Sequence, residues 1–188
     1  MASEVDVAND ALTFLGASRI TSLTQDQTEA KVMNQLYQRS VDAVLRAYPW
    51  KCAKAQQSLP RSATAPVYGW DYSYQLPTDP VCLRVLDVEN ADRDDKWDRY
   101  GDFLYTDLDT CKITFISRID AASFDPLLRD AVAARLAADA AYALIGSNGM
   151  MQQMYELYML RVDDAREASQ IEGSSPVFVS QKFEQVRK

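Results

Sequence analysis

The chain has 188 residues, with 20 Lys plus Arg against 27 Asp plus Glu, no His and three Cys. At this length a chain hides on the order of 70% of its unfolded surface, so its core needs neither a disulfide nor a structural metal. The lack of imidazole removes Ser-His and Cys-His nucleophiles, His-ligated zinc and the usual near-neutral proton shuttle, and a net charge of −7 argues against a surface that grips nucleic-acid phosphates.

The first segment reads as a helix from Ser3 to Gly16. Ser3 is the N-cap with Asp6 three residues on, Ala8, Ala11, Leu12 and Leu15 form one face, and Gly16 is the stop. Residues 17–25 are small and polar, with Ile20 and Leu23 as apolar anchors that pin the loop to its flanking helices. A second helix is expected from about Asp26 to Tyr48, with Ala30, Met33, Tyr37, Val41, Val44, Leu45 and Tyr48 on its apolar stripe. Pro49 ends it, because the residue before a proline avoids the helical conformation.

From Trp50 to Phe124 the period changes. Prolines 60, 66, 77 and 80 and the turn-like Tyr68-Gly69-Trp70-Asp71 separate short runs that read as strands: Ser73 to Leu76, Val81 to Val88, Phe103 to Thr106 and Cys111 to Ile119. One small antiparallel sheet is the expectation, with the aromatics Tyr68, Trp70, Tyr72, Tyr74, Trp97, Tyr100, Phe103, Tyr105 and Phe115 filling its thin core. On the last strand Ile113, Phe115 and Ser117 share one face, opposite Thr114 and Ile116.

A third helix opens at Asp125-Pro126 and runs to about Ile145. Eight alanines between Ala131 and Ala143 let its backbone approach a neighbour closely. Residues 146–149 reverse the chain, and a fourth helix follows to about Ile171. Met151, Met154, Tyr155, Tyr158, Val162 and Ala165 form its stripe. Leu157 and Leu160 lie off that stripe, a second apolar face suited to another copy of the protein. Beyond residues 173–176 comes an arm with Val177, Phe178, Lys182, Phe183, Arg187 and Lys188, basic and apolar. The fold class expected is α+β, mainly α: a helical body from residues 1–50 and 125–172, a β module inserted at 51–124, and an extended arm at 173–188.

Acidity concentrates in the insert. Residues 87–109 hold nine acids, among them Asp92, Asp94, Asp95 and Asp98, against Arg93, Lys96 and Arg99. So dense a set of carboxylates projects into solvent, onto a basic partner, or toward a channel. Asp92-Arg93-Asp94-Asp95 lacks the central glycine and closing glutamate of a calcium loop and reads as a solvated tip. Glu156, Asp163, Asp164 and Glu167 could be drawn as the paired carboxylates of a glycoside hydrolase, but their spacing against Arg161 and Arg166 fits an exposed helix face with local ion pairs. Phosphate loops of the GxxxxGK[ST] kind, GxGxxG, HExxH and GxSxG are all absent. Cys52, Cys82 and Cys111 are odd in number and widely spaced, which reads as buried free thiols. No cofactor, metal or membrane partner is expected. An acidic start without an apolar run points to a chain made and kept in the cytoplasm unless something else carries it out.

Three stretches carry a resemblance. The run Ala11-Leu12, Leu15-Gly16-Ala17, Ile20 and Ser22-Leu23 is followed by Glu29-Ala30, Tyr37 and Leu45-Arg46-Ala47-Tyr48-Pro49-Trp50; Tyr74-Gln75-Leu76-Pro77 and Cys82-Leu83-Arg84-Val85 come later. In these residues and in the alanine-rich third helix the chain resembles bacteriophage head-to-tail adaptors of the tail tubular protein A type, over most of residues 8–145 and fading in the tail. Family members carry phenylalanine and alanine shortly after the Pro-Trp pair; Lys51-Cys52-Ala53 keeps only the alanine. The resemblance implies a non-catalytic virion protein at the head-tail junction, assembled in the host cytoplasm. It implies a dodecameric ring that joins the portal protein to the tail nozzle or tube and leaves a channel for DNA without binding it specifically. On that reading Val177, Phe178, Lys182, Phe183, Arg187 and Lys188 form a portal-docking arm and Leu157 and Leu160 a subunit interface. Asp92, Asp94, Asp95 and Asp98 would meet the next tail component or line the channel. Related ring proteins that degrade peptidoglycan make a virion-associated hydrolase the alternative, and a host-encoded helical interaction domain is a third reading.

Overall fold

In the computed structural model, which describes residues 2–89 and 96–172, four helices surround one core and two small sheets a second. The elements are α1 (Glu4–Leu15), α2 (Thr28–Ala47), β1 (Lys54–Leu59), β2 (Tyr72–Gln75), β3 (Cys82–Val88), β4 (Trp97–Tyr100), β5 (Phe103–Thr106), β6 (Cys111–Ser117), α3 (Pro126–Ile145) and α4 (Asn148–Ile171). Single turns of 3₁₀ helix, Lys51–Ala53 and Ala121–Ser123, lead into and out of the strands.

Local chemistry sets the helix ends. Ser3 and Asp6 form a reciprocal capping box on α1, and Gly16 closes it at φ 66°, a conformation that costs glycine little. The Ser3 amide and hydroxyl hold the Asp6 carboxyl below its usual range. Asp125 accepts from the Leu127 amide and Pro126 opens α3 as expected. Helix α2 starts later than Asp26, at Thr28, and has no side-chain cap; Asp26 instead pairs with Lys31 at 2.5 Å. At the other end the reversal into α4 is tighter than the expected four residues: Ser147 already caps the helix by accepting from the Met150 amide at 3.2 Å.

The alanine-rich α3 is the hub of the helical body. It packs against α1, α2 and α4, and buries residues around nearly its whole circumference, including Leu128, Val132, Leu136, Ala137 and Ala141. A helix enclosed by three others cannot show a single apolar stripe, and alanine is what allows three neighbours to approach at once.

The loop between α1 and α2 is held by one buried polar residue. Asn9, on the inner face of α1, donates from Nδ2 to the Ile20 carbonyl at 2.9 Å and accepts from the Ile20 amide at 2.8 Å. This bidentate clip, with Ile20 buried and Leu23 against the core as expected, satisfies both backbone groups of Ile20. Asn9→Ala is expected to cost about 2–3 kcal/mol, since it orphans two buried backbone groups, and urea unfolding would measure it.

The expected single sheet is two, each of three antiparallel strands, in the orders β1-β6-β3 and β2-β5-β4. Strands β1 and β4 complete them. The aliphatic-aromatic core between the sheets comprises Leu59, Tyr74, Leu76, Cys82, Val85, Val88, Leu104, Cys111, Ile113 and Phe115. Strand β6 serves both cores: Cys111, Ile113 and Phe115 face the sheets, while Ile116 enters the helical core beside Leu83, Ala53 and Ala121. The helical core is therefore not confined to residues 1–50 and 125–172.

The modules are also tied by polar contacts. Arg118 after β6 grips Asp42 of α2 through both nitrogen-oxygen pairs, which raises the guanidinium pKa. The Leu83 carbonyl accepts from Arg46 of α2 and, at 3.2 Å, from Arg99 of β4. Adjacent residues on β6 thus give a test of modularity. Phe115→Ala is expected to loosen the sheets while helical circular dichroism persists, and Ile116→Ala to lower the stability of the helices themselves, each by about 2–5 kcal/mol. Indistinguishable unfolding profiles for the two variants would show one cooperative unit.

Candidate docking surfaces

Among the described residues no three His, Cys, Asp or Glu side chains are placed to hold a metal ion, and no helix is long and apolar enough to cross a membrane. Cys82 and Cys111 are buried free thiols, and burial raises the Cys111 pKa to about 11. Cys52 departs from the expectation: it is free but exposed, because the 3₁₀ turn directs Ala53, not Cys52, into the helical core.

The carboxylates of α4 lie on its outer side. Glu156, Asp163, Asp164 and Glu167 are exposed; Asp163 accepts from Arg166 at 3.2 Å, Arg161 stands 4.0 Å from Asp164, and Gln152 donates to Glu156 at 3.2 Å. These are local pairs of an exposed helix face.

The apolar residues of α4 divide differently from the expected stripe. Tyr158, Val162 and Ala165 are buried against α3, with Met154 and Leu157 packed beside them. Leu157 therefore belongs to the side that contacts the body, whereas Leu160 is 66% exposed. Met151 and Tyr155, expected in the core, are exposed. They border a groove of about 570 Å³ with Arg39, Arg135, Ala138, Asp139, Asn148 and Gln152. In its floor Asp139 accepts from Ser40 at 2.8 Å and Arg135 at 3.1 Å, and the Arg135 guanidinium lies 5.5 Å from the Tyr158 ring and 6.0 Å from Tyr155. The wheel places Met151 and Tyr155 at the edge of the α3 contact, so three helices around α3 leave them uncovered.

A larger cleft, about 690 Å³, runs between α1 and the start of α3, lined by Thr13, Phe14, Phe124, Leu127 and the charged Asp10, Arg129, Asp130 and Arg161. Arg129 and Asp10 pair across it. Tyr37 is buried nearby in the helical core with no hydrogen-bond partner for its hydroxyl among the described residues, and desolvation raises its pKa.

The third surface is aromatic. Tyr74 and Phe115 fill the sheet core as expected, but Tyr68 is 85% and Tyr100 55% exposed, and Val67 is 95% exposed. The reason is strand alternation: in β4 and β5 the residues Leu104 and Thr106 face inward, which turns Tyr100, Phe103 and Tyr105 to the other face. Residues 67–70 rise beside that face, and Val67, Tyr68, Gly69, Trp70, Tyr100 and Tyr105 line a slot of about 260 Å³. The Tyr100 and Tyr105 rings meet edge to face at 5.2 Å. Asp98 shares the face with Tyr100 and stands opposite Tyr105, and its carboxylate raises the pKa of the Tyr100 hydroxyl.

Of the acidic set, Asp98 is thus an exposed β4 residue whose carboxylate accepts from the Arg99 amide at 2.8 Å. Asp92, Asp94 and Asp95, and the whole arm with Val177, Phe178, Lys182, Phe183, Arg187 and Lys188, lie outside the described residues. The aromatic slot and the Asn9 clip were not anticipated from sequence. Compared with known proteins, the chain matches no family model and no curated sequence.

Proposed function

We propose that this chain is a structural head-to-tail adaptor of a tailed bacteriophage. Copies would form a ring, dodecameric by resemblance, that joins the portal to the nozzle or tail tube around the DNA channel. The observation that carries the reading is the Leu15-Gly16, loop, long helix, Tyr48-Pro49-Trp50 order. In support, its residues have interlocking roles: Gly16 closes α1, Ile20 sits in the Asn9 clip, Pro49 ends α2, and Trp50 turns back beneath it. Arg46 and Leu83, from two separate stretches of the resemblance, hydrogen-bond to one another across the junction of helices and strands.

A ring made of identical copies needs contacts between unlike faces of neighbouring subunits. Leu160 and the Met151-Tyr155-Met159 ridge, on different sides of α4, are two such faces. The arm is the portal-docking element in this reading, and the acidic insert with Asp98 meets the next tail component. An acidic wall also suits DNA passage, because a cationic one would retain the phosphates.

Sedimentation velocity tests the assembly. The free chain is expected to sediment as a monomer or small oligomer and to shift into a single large complex when portal is added. A stable large ring formed by the chain alone would contradict assembly on the portal.

A further inference from the structure

The aromatic slot beside β4 and β5 has no covering element among the described residues, although exposing Val67, Tyr68 and Tyr100 together leaves a contiguous apolar surface in water. Its chemistry defines what would fit. The Tyr and Trp rings that line it accept an aromatic ring edge or a cation, and Asp98 on the same face adds a negative partner at the rim. An occupant must combine apolar side chains with positive charge.

Within this acidic chain one stretch has that character. After residue 172 the only acid is Glu184, against Lys182, Arg187 and Lys188, with Val177, Phe178 and Phe183 between them. This stretch departs from the foot of the β strands: near the end of α4, the Ser169 hydroxyl accepts from the Lys51 amide at 3.1 Å, just before β1. Strand β1 then climbs about 20 Å toward Arg61, which bridges to Tyr74 of the slot's own sheet. An extended chain advances about 3.3 Å per residue, so Phe183 can lie roughly 36 Å from Glu172, far enough to follow β1 and reach the slot.

We propose that in the free protein the segment 173–188 folds back on its own chain, seating Phe183 in the slot of Tyr68, Trp70 and Tyr100 with Lys182 at Asp98. The segment would then be masked until a competing surface displaces it. The proposal does not depend on the adaptor reading, which concerns what the segment binds later.

Hydrogen exchange on the full-length chain, without any portal, tests it. Phe183→Ser lies outside the helices and sheets described, so its effect on the slot is not confounded by misfolding. It is expected to speed exchange in residues 67–70 and 100–105 by about tenfold. Lys182→Glu and Asp98→Lys should each do the same, and the double variant should restore protection. Protection in the wild type should be independent of protein concentration. Equal exchange in wild type and Phe183→Ser would overturn the proposal, as would protection that fades on dilution, which would assign the slot to a neighbouring copy.

Discussion

Trp50→Ala is expected to destabilise the protein by about 3–5 kcal/mol. Trp50 is one of the largest fully buried side chains. Pro49 stops α2, Tyr48 leaves in an extended conformation, and the chain turns so that the indole lies under the last turn of the helix it has just left. There Nε1 donates to the Val44 carbonyl at 2.9 Å, one of the C-terminal carbonyls that a helix cannot satisfy internally. The ring also meets Tyr48 edge to face at 4.9 Å. Alanine removes the packing and orphans the carbonyl together. Trp50→Phe keeps most of the packing and should recover all but about 1–3 kcal/mol, the cost of leaving the buried Val44 carbonyl without its donor. Urea midpoints of the two variants separate the contributions. A Trp50→Ala loss below that of Trp50→Phe would show that the turn after α2 relaxes around the change.

Truncation after Glu172 is the corresponding functional experiment. The described helices and sheets end just before that point, and among the described residues the last buried member of the helical core is Ala165, so the shortened chain should keep its thermal unfolding transition. If the arm is the portal-docking element, its removal eliminates portal binding altogether. Three apolar side chains would be lost from that interface, each worth roughly 1.5–3 kcal/mol when buried, together with three cations that speed encounter with an acidic surface. Binding is read by co-sedimentation with portal rings at low and moderate salt. Undiminished docking of the shortened chain would place the contact on the folded body, with α1 and α2 the first surfaces to probe.

How well the sequence foretold these surfaces depended on how local their causes are. Helices α1 and α3 were legible to within a residue because Ser3, Asp6, Gly16, Asp125 and Pro126 act on their own backbone. Strands β1 and β4 were not. Lys54–Leu59 is an edge strand with one buried residue at its end, so it has no alternation to read, and Trp97–Tyr100 is masked by its charges. The split into two sheets follows from pairings such as Lys54 with Ile116, across more than half the strand region, which no local pattern encodes. Asn9 offered only a weak signal, a polar residue on an apolar helix face, and its role needed the distant Ile20 backbone. Likewise the aromatics of residues 68–105 were recognisable as a group, but which of them meets the core depends on which face of β5 the other sheet covers. On α4, the expected second face included Leu157 because the wheel cannot show how far around the helix α3 reaches.

The adaptor reading is tested most directly by negative-stain imaging of the full-length chain mixed with isolated portal rings. Added density should cap one end of each ring, coaxial with its channel, with the ring's rotational symmetry and an open centre. Portal rings that remain bare at saturating protein, under conditions where the same sample solubilises peptidoglycan, would contradict the adaptor and favour the hydrolase.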